Sequence, residues 1–435
     1  MECNRESIEK IKELYSHYLK NPSISTDSRS IKKGDIFFAL KGDNFDGNNF
    51  VFQAIEQGAS LVVCDNKQIE KGDKILLCEN SLTMLQNLAT YHRKQLKTTI
   101  IGISGTNGKT TTKELIQVVL SKKFKTLATK GNLNNHIGVP LTLLSIPYDT
   151  EIAIVEMGAN HVGEIGFLSN IAMPDLAILT NIGTAHIEGF GSRENIIKTK
   201  KELFDFVKNN SCEKSHIFVN FDDEALKDET FSKKTTYSLN TKANISAKAC
   251  CENGYAQIIY KDNLIASNLV GVYNAYNILA ALTIGLHFGV ELEQIKKAIE
   301  QYTPSNNRSQ ILKTNNNTLI LDCYNANPSS CTFSIESFAN MEANHKMVFM
   351  GAMKELGDVS IQEHKRVFDL LQSKDFERIV LIGEEYRSVL EEGKVEWYAN
   401  SEEFKENLIE NKIEKATILI KGSRSTKMEV LKDVL

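Results

Sequence analysis

The run Gly102-Ile103-Ser104-Gly105-Thr106-Asn107-Gly108-Lys109-Thr110-Thr111-Thr112-Lys113 holds the residues best suited to chemistry on phosphate. The apolar stretch from Thr98 to Ile103 has strand character and breaks into a glycine turn. A helical pattern follows, with Leu115, Ile116, Val119 and Leu120 on one face. Backbone N–H groups of such a turn point inward, the helix start adds partial positive charge, and Lys109 adds a full one. Thr110 supplies a hydroxyl where phosphate loops hold Mg²⁺. The strict loop pattern has Gly where Ile103 stands, so the match rests on the flanking elements as well as on Gly105 to Thr111.

Further residues fall at the ends of other apolar runs. Ile152-Ala153-Ile154-Val155-Glu156-Met157-Gly158 reads as a buried strand ending in a carboxylate. Open parallel sheets bind ligands beyond the carboxyl ends of their strands, so Glu156 is placed to hold a metal opposite the phosphate loop. A carboxylate there is also a common solvated cap. Leu179-Thr180-Asn181-Ile182-Gly183-Thr184-Ala185-His186 repeats the arrangement with an imidazole, and a role for His186 near the metal is favoured.

From Ile196 to Phe204 the apolar residues lie three and four positions either side of Lys200, which centres it on an apolar helix face. A lysine there is partly desolvated, its pKa falls, and its neutral amine can react. Spacing alone favours the plainer reading of a snorkelling side chain. Asn274 and Asn277 share one face at a helix start, which suits an adenine edge or simply a helix N-terminus. Arg308 follows a polar break, and Asp322, Asn325 and Asn327 follow the next strand. A cation reaching across a closable cleft suits phosphoryl transfer.

These residues meet only if strands and helices alternate. Residues 1–80 read as a small α/β unit, with strand-like Asp35 to Leu40 and Ser60 to Cys64 around a helix from Phe50 to Gln57. Residues 81–97 read as a connecting helix. Strands at 99–104, 152–156, 175–180 and 216–220 then alternate with helices, as in a mostly parallel sheet. Shorter strands and turns follow near 244–270, then helices from Asn274 to Phe288 and from Leu292 to Gln301. Thr303-Pro304-Ser305-Asn306-Asn307 is a linker candidate, after which strands recur near 318–322, 346–350, 377–382 and 416–421. The expected fold class is α/β in three domains. These are a small N-terminal domain (1–80), a central P-loop-type domain with a mostly parallel sheet (81–304) and a Rossmann-like C-terminal domain (305–435).

Composition narrows the function class. The 435 residues are 42% hydrophobic and 24% charged, ordinary for a globular chain. A net charge of −4 with scattered basic residues gives no footprint for nucleic acid. None of the 8 cysteines forms a C-x-x-C pair, so neither zinc nor a redox motif is suggested. The polar start lacks a signal-peptide core, and no apolar run reaches the about 18 residues of a membrane helix. A cytoplasmic monomer with no membrane insertion is expected.

More segments complete the picture. They are Thr26-Asp27-Ser28-Arg29 with Lys41-Gly42-Asp43-Asn44-Phe45-Asp46-Gly47, and the stretch from Thr129 to Pro140 containing Asn132 and Asn135. Near the C-terminus stand Tyr324-Asn325-Ala326-Asn327-Pro328, Met353-Lys354-Glu355-Leu356-Gly357 and Lys421-Gly422-Ser423-Arg424. Over essentially its whole length the chain resembles the Mur ligases, ATP-dependent amide-forming enzymes of bacterial cell-wall precursor synthesis. That family's own loop is Gly-Thr-x-Gly-Lys-Thr, which accommodates Ile103; Asn48 stands where the family often has His.

The resemblance implies a reaction and its parts. ATP would phosphorylate the terminal carboxylate of UDP-N-acetylmuramoyl tripeptide, and the amine of D-Ala-D-Ala would attack the acyl phosphate. The alternative is addition of the preceding diamino acid, whose enzymes typically carry Asp-Asn-Pro-Arg where this chain has Asn325-Ala326-Asn327-Pro328. By resemblance Lys109 clamps the β/γ-phosphates, Thr110 and Glu156 bind one Mg²⁺, and His186 serves a second beside a carbamylated Lys200. Asn277 would contact adenine beside Asn274, Asp322 the ribose and Arg308 the transferring phosphate. Ser28 and Arg29 would touch the uridine end, and Asn132, Asn135, Asn325 and Asn327 the substrates.

Overall fold

Period-two alternation builds the central sheet and decides that it must be covered twice. In Ile152–Glu156, Ile152 and Ile154 join one apolar layer while Ala153 and Val155 join the other. In Leu176–Leu179 the same split separates Leu176 and Ile178 from Ala177 and Leu179. Strands apolar on both faces need helices on both faces. Here Lys109–Leu120 and Ala275–His287 cover one side, and Glu164–Ala172 and Arg193–Asn209 the other.

The computed structural model describes residues 5–184, 187–390 and 395–435. The central sheet runs Ile245–Ser246, Lys234–Ser238, His216–Asn220, Leu176–Leu179, Thr99–Ser104, Ile152–Glu156, Thr126–Ala128, every pairing parallel. The strand order reverses across Thr99–Ser104, the kind of switch point where open parallel sheets form a ligand crevice. A three-stranded antiparallel sheet from Lys248–Glu252, Tyr255–Tyr260 and Asn263–Ile265 is appended.

Before it comes a four-stranded parallel sheet, Ile24–Ser25, Ile36–Phe38, Leu61–Cys64 and Ile75–Leu77. The Arg5–Lys20 helix, which the sequence reading left unassigned, ties this part to the next. Its Tyr15 hydroxyl meets His92 Nδ1 at 3.0 Å, and its Tyr18 hydroxyl donates to the Leu144 carbonyl. Beyond the centre lies a six-stranded sheet, parallel except for its edge strand Gln310–Lys313. The linker-like segment is pinned: the Tyr302 hydroxyl and Asn306 Nδ2 both donate to the carboxylate of Glu114, on the helix that follows the phosphate loop. Among the described residues no helix is long and apolar enough to cross a membrane, and all 7 cysteines are unpaired.

Leu115 is fully buried on the Lys109–Leu120 helix, against the Ala275–His287 helix. Leu115→Ala should cost about 2–5 kcal/mol and lower the unfolding midpoint of the intact chain. An unchanged midpoint would mean that this face is not packed.

Candidate active site

Three strand ends meet at one point. Parallel register sets Ile103 against Glu156 and Ser104 against Leu179, so the glycine turn, the Glu156 carboxylate and the Thr180-Asn181 segment emerge side by side. The turn is then held from both sides. Thr106 N donates to Asn181 O at 2.9 Å and Asn107 N to Asn181 Oδ1 at 3.0 Å. Thr180 Oγ1 donates to Asn107 O at 2.6 Å. Gly105 has φ +140°, and a Cβ there would sit 2.0 Å from Thr180 Oγ1. Gly108, at φ +78°, starts the helix and would drive a Cβ to 2.5 Å from Asn277 Oδ1. The first turn of that helix carries N–H groups without intrahelical partners, directed at the crevice.

The crevice opens into a cleft of about 2130 Å³. That exceeds the ~300–1,000 Å³ of a pocket for one small ligand. Its wall includes Thr106 to Thr111, Glu156, Asn132, Asn135, Asn274, Asn277, Arg308, Asp322, Asn325 and Asn327. Most of the residues singled out from the sequence are thus gathered from widely separated parts of the chain. Gly105 lies beneath the loop, its carbonyl accepting from Lys109 Nζ at 2.9 Å. Ser28, Arg29 and Lys200 are not on the cleft wall. Ser28 is buried, and Arg29 is exposed and held by Asp27 at 2.8 Å. His186 lies outside the described residues.

Charge is concentrated around the loop. Lys109 Nζ folds back on the Gly105 and Thr106 carbonyls at 2.9 and 3.0 Å. Desolvation pushes its pKa down, Glu156 opposes that, and Arg308 adds to it. Arg308 stacks 3.7 Å from the centre of the Tyr324 ring, and its Nε is buried without a hydrogen-bond partner among the described residues. Lys200 does not snorkel. It is 3% exposed, its Nζ points at the Ala159 carbonyl, and it lies 5.7 Å from the Phe190 ring centre. Burial, with the charge of Lys109 added, pushes the Lys200 amine down to about 7.

Glu156 is 1% exposed and accepts from Thr110 Oγ1 at 3.0 Å and from Asn134 Nδ2 at 2.8 Å. With Thr110 it offers two hard oxygen donors, a set that suits Mg²⁺, which takes one or two carboxylates and completes its shell with phosphate and water. No group of three or more His, Cys, Asp or Glu side chains is placed to hold a metal among the described residues.

Asn274, Asn277 and Asp322 are heavily committed. Asn277 Nδ2 donates to Asn274 Oδ1 at 2.7 Å, and its Oδ1 accepts from Thr112 at 2.9 Å. Asn274 Nδ2 donates to the Val270 carbonyl. Among the described residues, one N–H of Asn277 has no partner. Asp322 Oδ2 takes Lys421 and Ser334, each at 2.6 Å, which leaves Oδ1 the freer oxygen.

The C-terminal part closes on the loop. Asn327 caps the Pro328–Ala339 helix through its Oδ1 and donates through Nδ2 to Asn107 Oδ1 at 2.8 Å. Sequence reasoning assigned no role to Thr180, Asn181, Asn134 or Lys113. Thr180 and Asn181 follow a strand and so carried a usable signal, whereas Asn134 and Lys113 act through partners far along the chain.

Known proteins resemble this chain in sequence and in fold. Residues 22–93 match the Mur ligase catalytic domain, 103–285 the Mur ligase middle domain, and 307–424 the Mur ligase glutamate ligase domain. The UDP-N-acetylmuramoyl-tripeptide–D-alanyl-D-alanine ligase of Bacillus subtilis is 32% identical, over 99% of this chain and 98% of that one. A crystal structure of MurF from Acinetobacter baumannii superposes with a TM-score of 0.84 at 32% identity, covering 94% of this chain and 92% of that one. MurF ligase from Thermotoga maritima, solved in complex with ADP, gives a TM-score of 0.82 at 28% identity, over 95% of this chain and 96% of that one. Match along the sequence and match in fold agree throughout: the chain belongs to the Mur ligase family.

Proposed function

We propose that this Mur ligase joins D-alanyl-D-alanine to UDP-N-acetylmuramoyl tripeptide, with ATP activating the tripeptide's terminal carboxylate. The observation that carries the reading is the single cleft. It unites a phosphate loop, a buried carboxylate and cations with the C-terminal residues Asn325 and Asn327. The B. subtilis relative bears the name of this reaction, and the T. maritima relative was solved with ADP.

The chemistry follows from the charges. A carboxylate oxygen of the tripeptide attacks the γ-phosphorus, and ADP leaves. The dipeptide amine then attacks the carbonyl carbon and loses a proton, and phosphate departs carrying one former carboxylate oxygen. Two anionic substrates approach each other only where cations offset their repulsion. Lys109 would exchange the carbonyls of Gly105 and Thr106 for β/γ-phosphate oxygens, and Arg308 would reach the phosphoryl group in flight. Of the residues lining the cleft, Asn277, Asn274 and Asp322 would face the nucleoside, and Asn132 and Asn135 the tripeptide. Ser28 and Arg29 would serve the uridine end from outside the cleft. The Asn327–Asn107 bond links the C-terminal part to the loop, and closure of the domains over the cleft would shield the acyl phosphate from water.

Thr110 and Glu156 would hold Mg²⁺, which supplies charge neutralisation to the phosphates. His186 and Lys200, the latter as a carbamate, would serve a second ion. Carbamylation joins the neutral amine to CO₂ with loss of a proton and turns a buried cation into an anion. Above pH 7 most Lys200 amines are neutral and below it most are protonated, given a value of about 7. With ¹³C-bicarbonate, a carbamate NMR signal absent from Lys200→Ala should therefore grow as pH rises through 7 and fade on acidification. No such signal at pH 8 would remove the carbamate.

Phosphate release from Mg-ATP should require both UDP-N-acetylmuramoyl tripeptide and D-Ala-D-Ala. Release with UDP-N-acetylmuramoyl dipeptide and a diamino acid instead would move the enzyme one step earlier, and no release at all would remove catalysis. Lys109→Ala should lower kcat by roughly 10² or more, as loss of a preorganised charge does. Near-normal turnover would remove the phosphate-loop assignment.

A further inference from the structure

Lys113 is a lysine buried without a hydrogen bond to its amine among the described residues. It is 1% exposed on the Lys109–Leu120 helix. The ammonium lies 3.6 Å from Glu156 Oε2, inside ion-pair range but beyond a hydrogen bond. Glu156 is equally buried, and its two oxygens already take Thr110 Oγ1 and Asn134 Nδ2. Thr110, Asn134 and Glu156 all line the cleft, whereas Lys113 does not. The carboxylate is thus sandwiched, with the cleft in front and a buried cation behind.

A buried charge is tolerated only when another compensates it. Lys113 gives Glu156 that compensation, yet no hydrogen bond locks the pair. A hydrogen-bonded pair would fix the carboxylate against its lysine, whereas a cation at 3.6 Å attracts it and leaves its oxygens available to the cleft. The same proximity has a second effect, because an ammonium close behind a carboxylate repels any divalent ion in front of it.

We propose that Lys113 is a positioning residue, a built-in counter-charge that balances Glu156 before a divalent ion arrives and weakens the grip of Glu156 on that ion afterwards. This rests on the proposed nucleotide and metal site. Its consequence is an ion that enters and leaves with the nucleotide instead of staying resident, as repeated turnover with product release requires.

The test uses the intact chain with ADP and Mn²⁺, free Mn²⁺ being counted by its paramagnetic resonance signal. Lys113→Met should bind Mn²⁺ at least about tenfold more tightly than the unaltered protein, because the repelling charge is gone. Unchanged or weaker binding by a folded Lys113→Met would overturn the proposal. Absence of ADP-dependent Mn²⁺ binding in the unaltered protein would instead overturn the site on which it rests. If Lys113→Met does not fold, the double variant Lys113→Met/Glu156→Gln decides the matter. A counter-charge role requires that removing the orphaned carboxylate restores folding and the unfolding midpoint. A double variant as unstable as the single one would reduce Lys113 to a packing residue.

Discussion

Parallel pairing that sets Ile103 against Glu156, and Ser104 against Leu179, is the constraint from which the site follows. Because side chains alternate faces along a strand, a slip of one residue would send the Glu156 carboxylate to the opposite face and separate it from Thr110. The apolar layers forbid that slip, since Ala153 and Val155 would exchange places with Ile152 and Ile154 across a sheet covered by helices on both sides. The core therefore fixes the geometry of the site, and the loop glycines adapt to it. Gly105 and Gly108 leave room for Thr180 and Asn277 at distances that no side chain allows.

The second feature is the density of positive charge around a single buried carboxylate. Lys109, Lys113, Lys200 and Arg308 all lie near Glu156 or near one another. Such an arrangement is poorly balanced alone and well matched to phosphates, which bring the missing negative charge. Lys200 relieves the imbalance by giving up its proton readily, while Lys109 does so by borrowing two backbone carbonyls. The Asn327–Asn107 bond and the Asn306–Glu114 bond tie the C-terminal part and the linker to the segment that carries this charge.

Much of this was legible in the sequence, for physical reasons. Glu156 and the phosphate loop announce themselves because an apolar run that ends abruptly in a polar or glycine residue marks a strand terminus. Lys200 was legible in part: its spacing placed it on the apolar face, but only the fold shows that its amine stays inside instead of snorkelling. Lys113 was hidden, because a lysine near a helix start reads as solvated and only the distant Glu156 gives it meaning. Asn134 was passed over for its neighbours Asn132 and Asn135, which share its composition but not its contact with Glu156. The Arg5–Lys20 helix lacked a local signal, since its tyrosines are explained by His92 and Leu144 far along the chain.

The central claim is that ligation passes through a phosphorylated carboxylate formed in this cleft. The decisive experiment uses UDP-N-acetylmuramoyl tripeptide with ¹⁸O in both oxygens of its terminal carboxylate, turned over with Mg-ATP and D-Ala-D-Ala. One labelled oxygen is expected in each phosphate released, because the bond to phosphorus is made by that carboxylate. Phosphate free of label alongside full product formation would contradict it.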